Sequence, residues 1–175
     1  MSDRVDDRIE IHAGDITKLD VDAIVNAANA QLRPGGGVCG AIHRAAGRNL
    51  REACARIGGC ATGDAVHTEG FDLKAKYVIH AVGPVWRGGS ENEEALLASC
   101  YRTALKIAKQ IGARSIAFPA ISTGVYGFPL ERATEIAVAT VRDFLADEDA
   151  IDGVIFCVFG WEAEQAYRRE LGRPA

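Results

Sequence analysis

Three short stretches combine polar side chains with glycine, which suits the binding of phosphates and sugars. They are Gly14-Asp15-Ile16-Thr17, then Asn26-Ala27-Ala28-Asn29 leading into Gly35-Gly36-Gly37, and Ile121-Ser122-Thr123-Gly124-Val125-Tyr126-Gly127. Consecutive glycines let backbone amides approach an anion closely, and a helix that starts behind them adds a favourable dipole. The second stretch therefore predicts a phosphate-binding loop in preference to a flexible connector with a Pro34-Gly35 turn.

The other two stretches allow two interpretations each. The third offers hydroxyls, glycine amides and the ring of Tyr126, so it is either a second phosphate or sugar cradle or a glycine turn covered by Tyr126. Asp15 can accept from an exocyclic amine or cap a turn, and the residues alone favour the cap. Asn29 can bind a sugar hydroxyl or form an Asx turn, and the residues alone leave both open.

The patterns of several familiar sites are incomplete in this chain. Residues 35–40 satisfy G-x-G-x-x-G, but no acidic residue follows about 20 positions later, as a Rossmann unit requires. Cys39 and His43 lie four apart at a helix start, where a thiol's pKa falls, but only four residues separate Cys39 from Arg44, one fewer than in cysteine phosphatases. We therefore interpret Cys39 as a small residue packed beneath the loop rather than as a nucleophile.

Composition predicts one globular domain over residues 1–175. The chain is 48% hydrophobic and 25% charged, with a net charge of −4, and its acidic balance disfavours DNA, other nucleic acids and anionic membranes as partners. Its start has no apolar signal core, so we expect a soluble, cytoplasmic protein. Five scattered cysteines without a C-x-x-C pair predict reduced residues and no metal site.

Alternating strand and helix patterns predict an α/β fold with a largely parallel sheet covered on both faces. β-Branched runs predict strands at residues 9–12, 23–25, 65–67, 77–82, 115–118 and 154–159. Helices are expected at residues 40–57, 129–145 and 161–171, and around Leu97 to Ile111, where Ser90-Glu91-Asn92-Glu93 forms a capping-box pattern and Gly112 a stop. Ligands of such sheets lie beyond the carboxyl ends of the strands.

Six short sequence motifs follow one another along nearly the whole chain: residues 14–17, 21–29, 35–38, 40–47, 77–84 and 119–129. Together they resemble the macrodomain family, specifically its MacroD-type branch. The resemblance implies a three-layer α/β/α sandwich with a mixed sheet that binds ADP-ribose. It also implies a hydrolase that removes mono-ADP-ribose from Asp and Glu side chains of proteins and deacetylates O-acetyl-ADP-ribose, with no metal, other cofactor or covalent intermediate. A non-catalytic ADP-ribose reader and a phosphatase on ADP-ribose 1″-phosphate are the alternatives.

The resemblance also implies a role for each candidate residue. Asp15 receives the adenine amine beside the Ile16 amide, Phe159 stacks on adenine, and Asn29 holds the distal ribose. Trp161 is a weaker stacking candidate, because it can equally anchor the last helix. The diphosphate lies between two loops. Gly36, Gly37 and Val38 form one side, and Ser122, Thr123, Gly124, Val125 and Tyr126 form the other. Tyr126 also packs on the distal ribose.

Cys39 is the departure from the MacroD-type pattern, in which an Asp at this place orients or activates the attacking water. The string Pro34-Gly35-Gly36-Gly37-Val38-Cys39 is similar to that of alphavirus-type macrodomains, which carry Cys here and are counted among the hydrolases. As a hypothesis, the substrate's own phosphate positions the water, and loop amides stabilise the departing ribose oxygen. Asn29 and position 39 are therefore the candidate catalytic positions.

Overall fold

The computed structural model describes residues 2–175, in which six helices surround one six-stranded sheet. The strands are β1 (Ile9–Ala13), β2 (Ala23–Ala27), β3 (Ala65–Glu69), β4 (Tyr77–Ala81), β5 (Ser115–Phe118) and β6 (Gly153–Val158). The helices are α1 (Ser2–Asp6), α2 (Gly37–Ala46), α3 (Arg48–Ile57), α4 (Glu93–Gln110), α5 (Leu130–Ala146) and α6 (Trp161–Glu170). All six predicted strands are confirmed, within one or two residues at their ends.

The sheet has the strand order β1-β6-β5-β2-β4-β3. Neighbouring strands from β1 to β4 are parallel, and only β3 runs antiparallel, beside β4. The predicted mixed, largely parallel sheet is therefore confirmed. Because β1, β6, β5 and β2 are parallel neighbours, the loops that follow them leave from the same edge.

Helices cover both faces of the sheet, which makes a three-layer sandwich. Strand residues alternate between the faces: Val25 and Ile79 pack in the larger core under α4, α5 and α6, whereas Ile24 and Val78 pack under α2 and α3. This alternation follows from the two-residue period of a strand. Parallel strands buried on both faces are apolar throughout, so a polar residue among them needs a partner inside the protein.

Gly47 divides the single helix that we predicted over residues 40–57. Its φ of +89° is unfavourable for residues with a side chain, and the chain turns there between α2 and α3. The periodicity of apolar residues continues across the turn, which is why the sequence indicated one helix. Among residues 2–175, no helix is both long and apolar enough to cross a membrane.

The predicted capping box of α4 is wrong, although Glu93 does accept hydrogen bonds from backbone amides. Asn92, not Ser90, is the N-cap residue, and its own side chain makes no capping bond. The Glu93 carboxylate instead accepts from the amides of Arg87 and Gly89, both at 2.9 Å, and of Glu91 at 2.6 Å. Burial opposes ionisation of Glu93, but these amides outweigh it and lower its pKa to about 2. The loop after β4 is thus tied to the start of α4.

Glu93→Gln should lower the melting temperature by several degrees, because a neutral amide oxygen accepts more weakly than a carboxylate and its NH₂ group opposes backbone donors. Thermal unfolding followed by circular dichroism measures this. Glu94→Gln is the matched control: Glu94 forms a surface ion pair with Arg132, so its loss should change the melting temperature little. Equal effects of the two substitutions would contradict the structural role of Glu93.

Candidate functional site

The three predicted stretches and Phe159 lie at the same edge of the sheet. They follow β1, β2, β5 and β6, four parallel strands that are neighbours in the sheet. The Gly14 amide donates to the Val158 carbonyl at 3.1 Å, which joins the ends of β1 and β6. The fold therefore brings together at one edge stretches that are more than 100 residues apart in sequence.

Asp15 caps a single 3-10 turn over Ile16–Lys18. Its Oδ1 accepts from the Thr17 hydroxyl at 2.7 Å and from the Thr17 amide at 2.9 Å. These two bonds, the hydroxyl bond first, lower the pKa of Asp15, so the side chain is an anionic acceptor at neutral pH. Ile16 is buried beneath the turn. The capping role considered from the sequence is thus confirmed.

The glycine loop leads directly into α2. Gly36 is the N-cap residue, Gly37 has a φ of +55°, and both are exposed, whereas Val38 is half-buried. The first amides of a helix have no carbonyl partner within the helix, so this end favours an anion. Gly40 keeps the loop close to the helix, because a Cβ there would collide with the Gly35 carbonyl oxygen.

Asn29 and Cys39 are tied to the same peptide carbonyl. Asn29 Nδ2 donates to the Arg33 carbonyl at 2.9 Å, and Asn29 Oδ1 accepts from the Arg33 amide at 3.0 Å. The Cys39 thiol donates to the same carbonyl, with Sγ and O at 3.6 Å. Asn29 is half-buried and Cys39 is 6% exposed. Cys39 is packed beneath the loop, as predicted. Asn29 instead closes a local turn with Arg33 four residues on, which differs from an Asx turn, where the side-chain oxygen accepts from the amide two residues later.

Hydrogen bonds from the buried Tyr101 hydroxyl fix the start of the loop after β5, whereas the tip of the loop is exposed. The Tyr101 hydroxyl, buried in α4, donates to the Pro119 carbonyl and accepts from the Ile121 amide, both at 3.4 Å. Ser122 follows with a φ of +68°, which is strained for a residue with a side chain. Gly124 and Val125 at the tip are exposed.

Two aromatic residues at this edge and beside it are exposed. The Phe159 side chain is 91% exposed directly after β6, and the Trp161 side chain is 72% exposed at the start of α6. Tyr126 is half-buried, and its carbonyl accepts from the Trp86 amide at 2.8 Å. An exposed ring costs hydrophobic free energy in the free protein, which a stacking ligand would recover.

A buried chain of polar side chains lies under the glycine loop, between the sheet and α2. Asn26 Nδ2 donates to His80 Nδ1 at 3.1 Å, and His80 Nε2 lies 3.0 Å from Thr68 Oγ1. The Thr68 hydroxyl donates to the Glu69 carbonyl, so His80 Nε2 must carry the proton that is shared with Thr68. Burial lowers the pKa of His80 to about 3, which keeps the imidazole neutral.

The buried chain reaches the candidate catalytic position. Asn26 Nδ2 lies 3.7 Å from Cys39 Sγ, and Asn26 Oδ1 has no hydrogen-bond partner among the described residues. No sequence pattern above predicts a role for Asn26, His80 or Thr68. The available signal was a polar residue inside an apolar strand, Val78-Ile79-His80-Ala81, which predicts a buried partner.

The described residues contain no cluster of three His, Cys, Asp or Glu side chains that could hold a metal ion. All five cysteines are free thiols and four of them are buried, as the sequence predicted. The site therefore presents backbone amides, one carboxylate, hydroxyls and aromatic rings, which are groups suited to a phosphorylated sugar or nucleotide.

Glycine-rich loops gathered at the carboxyl edge of parallel strands place the protein among the α/β folds that bind ligands beyond their strand ends. Within that class, the chain belongs to the macro domain family: residues 25–137 match the family's profile, described as Macro domain. Macro domain-containing protein CT2219 of Chlorobaculum tepidum is 58% identical over 167 residues, which are 94% of this chain and 97% of that protein.

Two further relatives carry names that describe an activity or a ligand. ADP-ribose glycohydrolase MACROD2 of Homo sapiens is 54% identical over 169 residues, which cover 94% of this chain and 39% of that protein. The Trypanosoma brucei macrodomain, solved in complex with ADP-ribose, is 44% identical with a TM-score of 0.87 and covers 93% of this chain and 68% of that one. The resemblance to macrodomains that the sequence indicated is confirmed.

The neutral His80 should make folding sensitive to acid. Its folded pKa of about 3 lies below the ordinary 6.5, so only the unfolded chain takes up the proton between these values. The resulting stability is complete above about pH 6.5 and falls by about 1.4 kcal/mol per pH unit below it. Urea unfolding of wild type should thus show a loss of stability by about pH 5. His80→Asn, which keeps an acceptor for Asn26, should show a smaller loss, because the His80 contribution is gone while that of His43, whose pKa is also lowered by burial, remains.

His67→Asn is the matched control, because His67 is an exposed histidine on β3. This variant should lose as much stability as wild type between about pH 7 and about pH 5. If His80→Asn also loses as much as wild type, the acid sensitivity comes from other groups and the buried neutral imidazole is not its cause.

Proposed function

We propose that this protein binds ADP-ribose, removes mono-ADP-ribose from Asp and Glu side chains of proteins and deacetylates O-acetyl-ADP-ribose. The observation that carries the proposal is the clustering at Arg33. Asn29 and Cys39 both bond to the Arg33 carbonyl, directly beside the exposed glycine loop. A ribose held by Asn29 would therefore place its anomeric end between position 39 and the diphosphate cradle. The named activity of the MACROD2 relatives supports the same reaction class.

The adenosine end of the ligand would lie beyond β1 and β6. Both hydrogen bonds to Thr17 use Oδ1 of Asp15, so Oδ2 is the oxygen assigned to the adenine amine, with the Ile16 amide beside it. Phe159 is exposed at the end of the adjacent strand and would stack on the base. This assignment uses the carboxylate as an acceptor, the form that its lowered pKa favours.

The diphosphate would lie between the two loops. Gly36, Gly37 and Val38 provide the amides of the α2 start on one side. Ser122, Thr123, Gly124 and Val125 would close over the other side, and Tyr126 would pack on the distal ribose. The exposed tip at Val125 supports this assignment, because leaving an apolar valine side chain in water is unfavourable in the free protein.

The reaction would proceed by attack of water on the acyl carbon of the ester. The ribose oxygen departs, and the products are ADP-ribose and the free carboxylate. We assign the positioning of water to the substrate's phosphate and the positioning of the ribose to Asn29, while loop amides stabilise the departing oxygen. Cys39 is packed under the loop and donates to the Arg33 carbonyl, so it has a supporting role in this scheme and forms no covalent bond.

A reader function is the second candidate, and Cys39 is the observation that favours it. A thiol bonded to a carbonyl cannot replace a carboxylate as general base, and such a base contributes about 10²–10⁴-fold to a rate. Loss of that contribution would leave a pocket that binds ADP-ribose and barely turns over. The two candidates share every binding residue and differ only in the fate of the ester.

Asp15→Ala should weaken ADP-ribose binding about 10- to 100-fold, because it removes a charged acceptor from the adenine amine. Isothermal titration calorimetry with free ADP-ribose measures this, and a thermal melt checks that the loss of the turn cap leaves the fold intact. Asp20→Ala is the matched control, since Asp20 is an exposed carboxylate shortly after the same turn. Near-normal affinity of Asp15→Ala would refute the adenine assignment.

Cys39→Asp should raise turnover at least 10-fold if a carboxylate at this position activates water. Release of free ADP-ribose from a Glu/Asp-mono-ADP-ribosylated protein, followed by mass spectrometry, measures the rate. Cys39→Asn is the control: asparagine has nearly the same shape as aspartate but no charge, so turnover should not increase. Equal rates for wild type and Cys39→Asp would show that the carboxylate has no role here.

Asn29→Ala provides the inactive reference in the same assay, with retained binding in calorimetry. Release by wild type that disappears in this variant would support the hydrolase. If wild type binds free ADP-ribose but releases none from the modified protein, the reader function is favoured.

A further inference from the structure

A cationic cleft lies next to the glycine loop, against Gly35 and Gly40. It has a volume of about 370 Å³ and opens to solvent between the Pro34-Gly35 turn and the faces of α2 and α3. Three arginines line it: Arg44, Arg48 and Arg51. None of the groups assigned above to adenine, diphosphate or ribose is an arginine, so the proposed function leaves this cleft without a role.

Positive charge is concentrated in this part of an acidic chain. Residues 31–60 contain five arginines and one glutamate, although the whole chain has a net charge of −4. Of the three cleft arginines, only Arg48 has an ion-pair partner among the described residues, Glu52 at 3.7 Å, and both of these side chains are more than half exposed. Exposed pairs of this kind are weak. The exposed Asp72 carboxylate beside Gly47 offsets part of the charge, and the three arginines still leave the cleft net positive, which attracts anions.

Gly35, which lines the cleft, also lies beside the candidate reaction centre. A Cβ on Gly35 would lie 3.6 Å from Asn29 Nδ2 and 3.9 Å from Cys39 Sγ. On the opposite side, a Cβ on Gly40 would meet both the Gly35 carbonyl oxygen and, at 3.0 Å, Arg44 Nη1. The Arg44 guanidinium therefore lies against the loop that Asn29 and Cys39 contact from the other side.

His43 forms part of the cleft wall, and one of its ring nitrogens lacks a hydrogen-bond partner among the described residues. Its side chain is 8% exposed, and its buried Nδ1 has no hydrogen-bond partner among the described residues. Burial, followed by the nearby charge of Arg51, lowers the pKa of His43. The imidazole therefore stays neutral at pH 7 and can donate one hydrogen bond or accept one, whereas the arginines supply the charge.

We propose that this cleft binds carboxylate side chains of the ADP-ribosylated protein that flank the modified residue. The inference rests on the proposed function, in which the ester bond lies beside Asn29 and Cys39, and it places the exit of the acceptor chain near Gly35, the cleft residue beside both side chains. Arg44 and Arg51 would pair with acidic side chains one or two positions from the modified Asp or Glu. Guanidinium forks match carboxylates in shape, and acidic acceptor segments are complementary to the cleft in charge. The protein would thus prefer modified residues within acidic sequences.

Binding of two hydrolysis-resistant conjugates tests the proposal. Each carries ADP-ribose through a stable oxime on a fluorescent peptide, with glutamates around the attachment point in one and glutamines in the other. Fluorescence anisotropy should show wild type binding the acidic peptide about three- to tenfold more tightly, with the preference reduced at high salt. The double variant Arg44→Gln/Arg51→Gln should bind the two peptides equally. Arg56→Gln, an exposed arginine of α3 outside the cleft, should keep the preference.

Three results would overturn the proposal. The first is equal affinity of wild type for the two peptides. The second is an equal loss of affinity for free ADP-ribose in the double variant, which would mean that the arginines only attract the diphosphate. The third is a full preference for the acidic peptide in the double variant, which would place the selective groups outside this cleft.

The proposed hydrolase is tested separately, by release of ADP-ribose from ester-linked versions of the same peptides. A retained preference without release would refute only the hydrolase. Release from both peptides with equal affinities would refute only the carboxylate cleft.

Discussion

The site depends on one buried chain of hydrogen bonds that crosses β2, β4 and β3. Asn26 donates to His80, and His80 shares its proton with Thr68. An unpaired polar group in such a place costs about 1–3 kcal/mol, so the chain ties the three strands to one register. The same Asn26 amide lies beside Cys39, and Asn29 follows three residues later. Both candidate catalytic positions therefore lie close to a hydrogen-bonded chain that is buried in the core.

Local patterns were sufficient to predict most of the fold. β-Branched runs located all six strands, and alternation with helices indicated the covered parallel sheet. Helix boundaries were harder to predict because they depend on single residues. Gly47 ends α2 through its φ of +89°, although the apolar periodicity continues past it. Glu93 starts α4 by accepting from amides earlier in the chain, whereas the sequence pattern pointed to a Ser90 cap.

Sequence reasoning could predict those parts of the candidate site whose residues lie in one short segment. Gly35-Gly36-Gly37 indicates an anion loop in isolation, and the resemblance to macrodomains supplied a ligand for the other segments. The partnership of Asn26 with His80 spans 54 positions, and no pattern within either strand specifies the other residue. The clustering of Asn29 and Cys39 on the Arg33 carbonyl is also invisible in sequence, because it depends on how the loop folds back over α2.

Gly83 and Ser122 belong to different loops, but the Ser122 side chain fills the space that a side chain at position 83 would need. A Cβ on Gly83 would collide with Ser122 Oγ and come within 2.6 Å of Ile121 Cγ2, while Ser122 itself holds a φ of +68°. The two atoms in the way belong to side chains, so a larger residue at position 83 requires a smaller or differently oriented side chain at position 121 or 122. We therefore expect these positions of the two loops to change together during evolution.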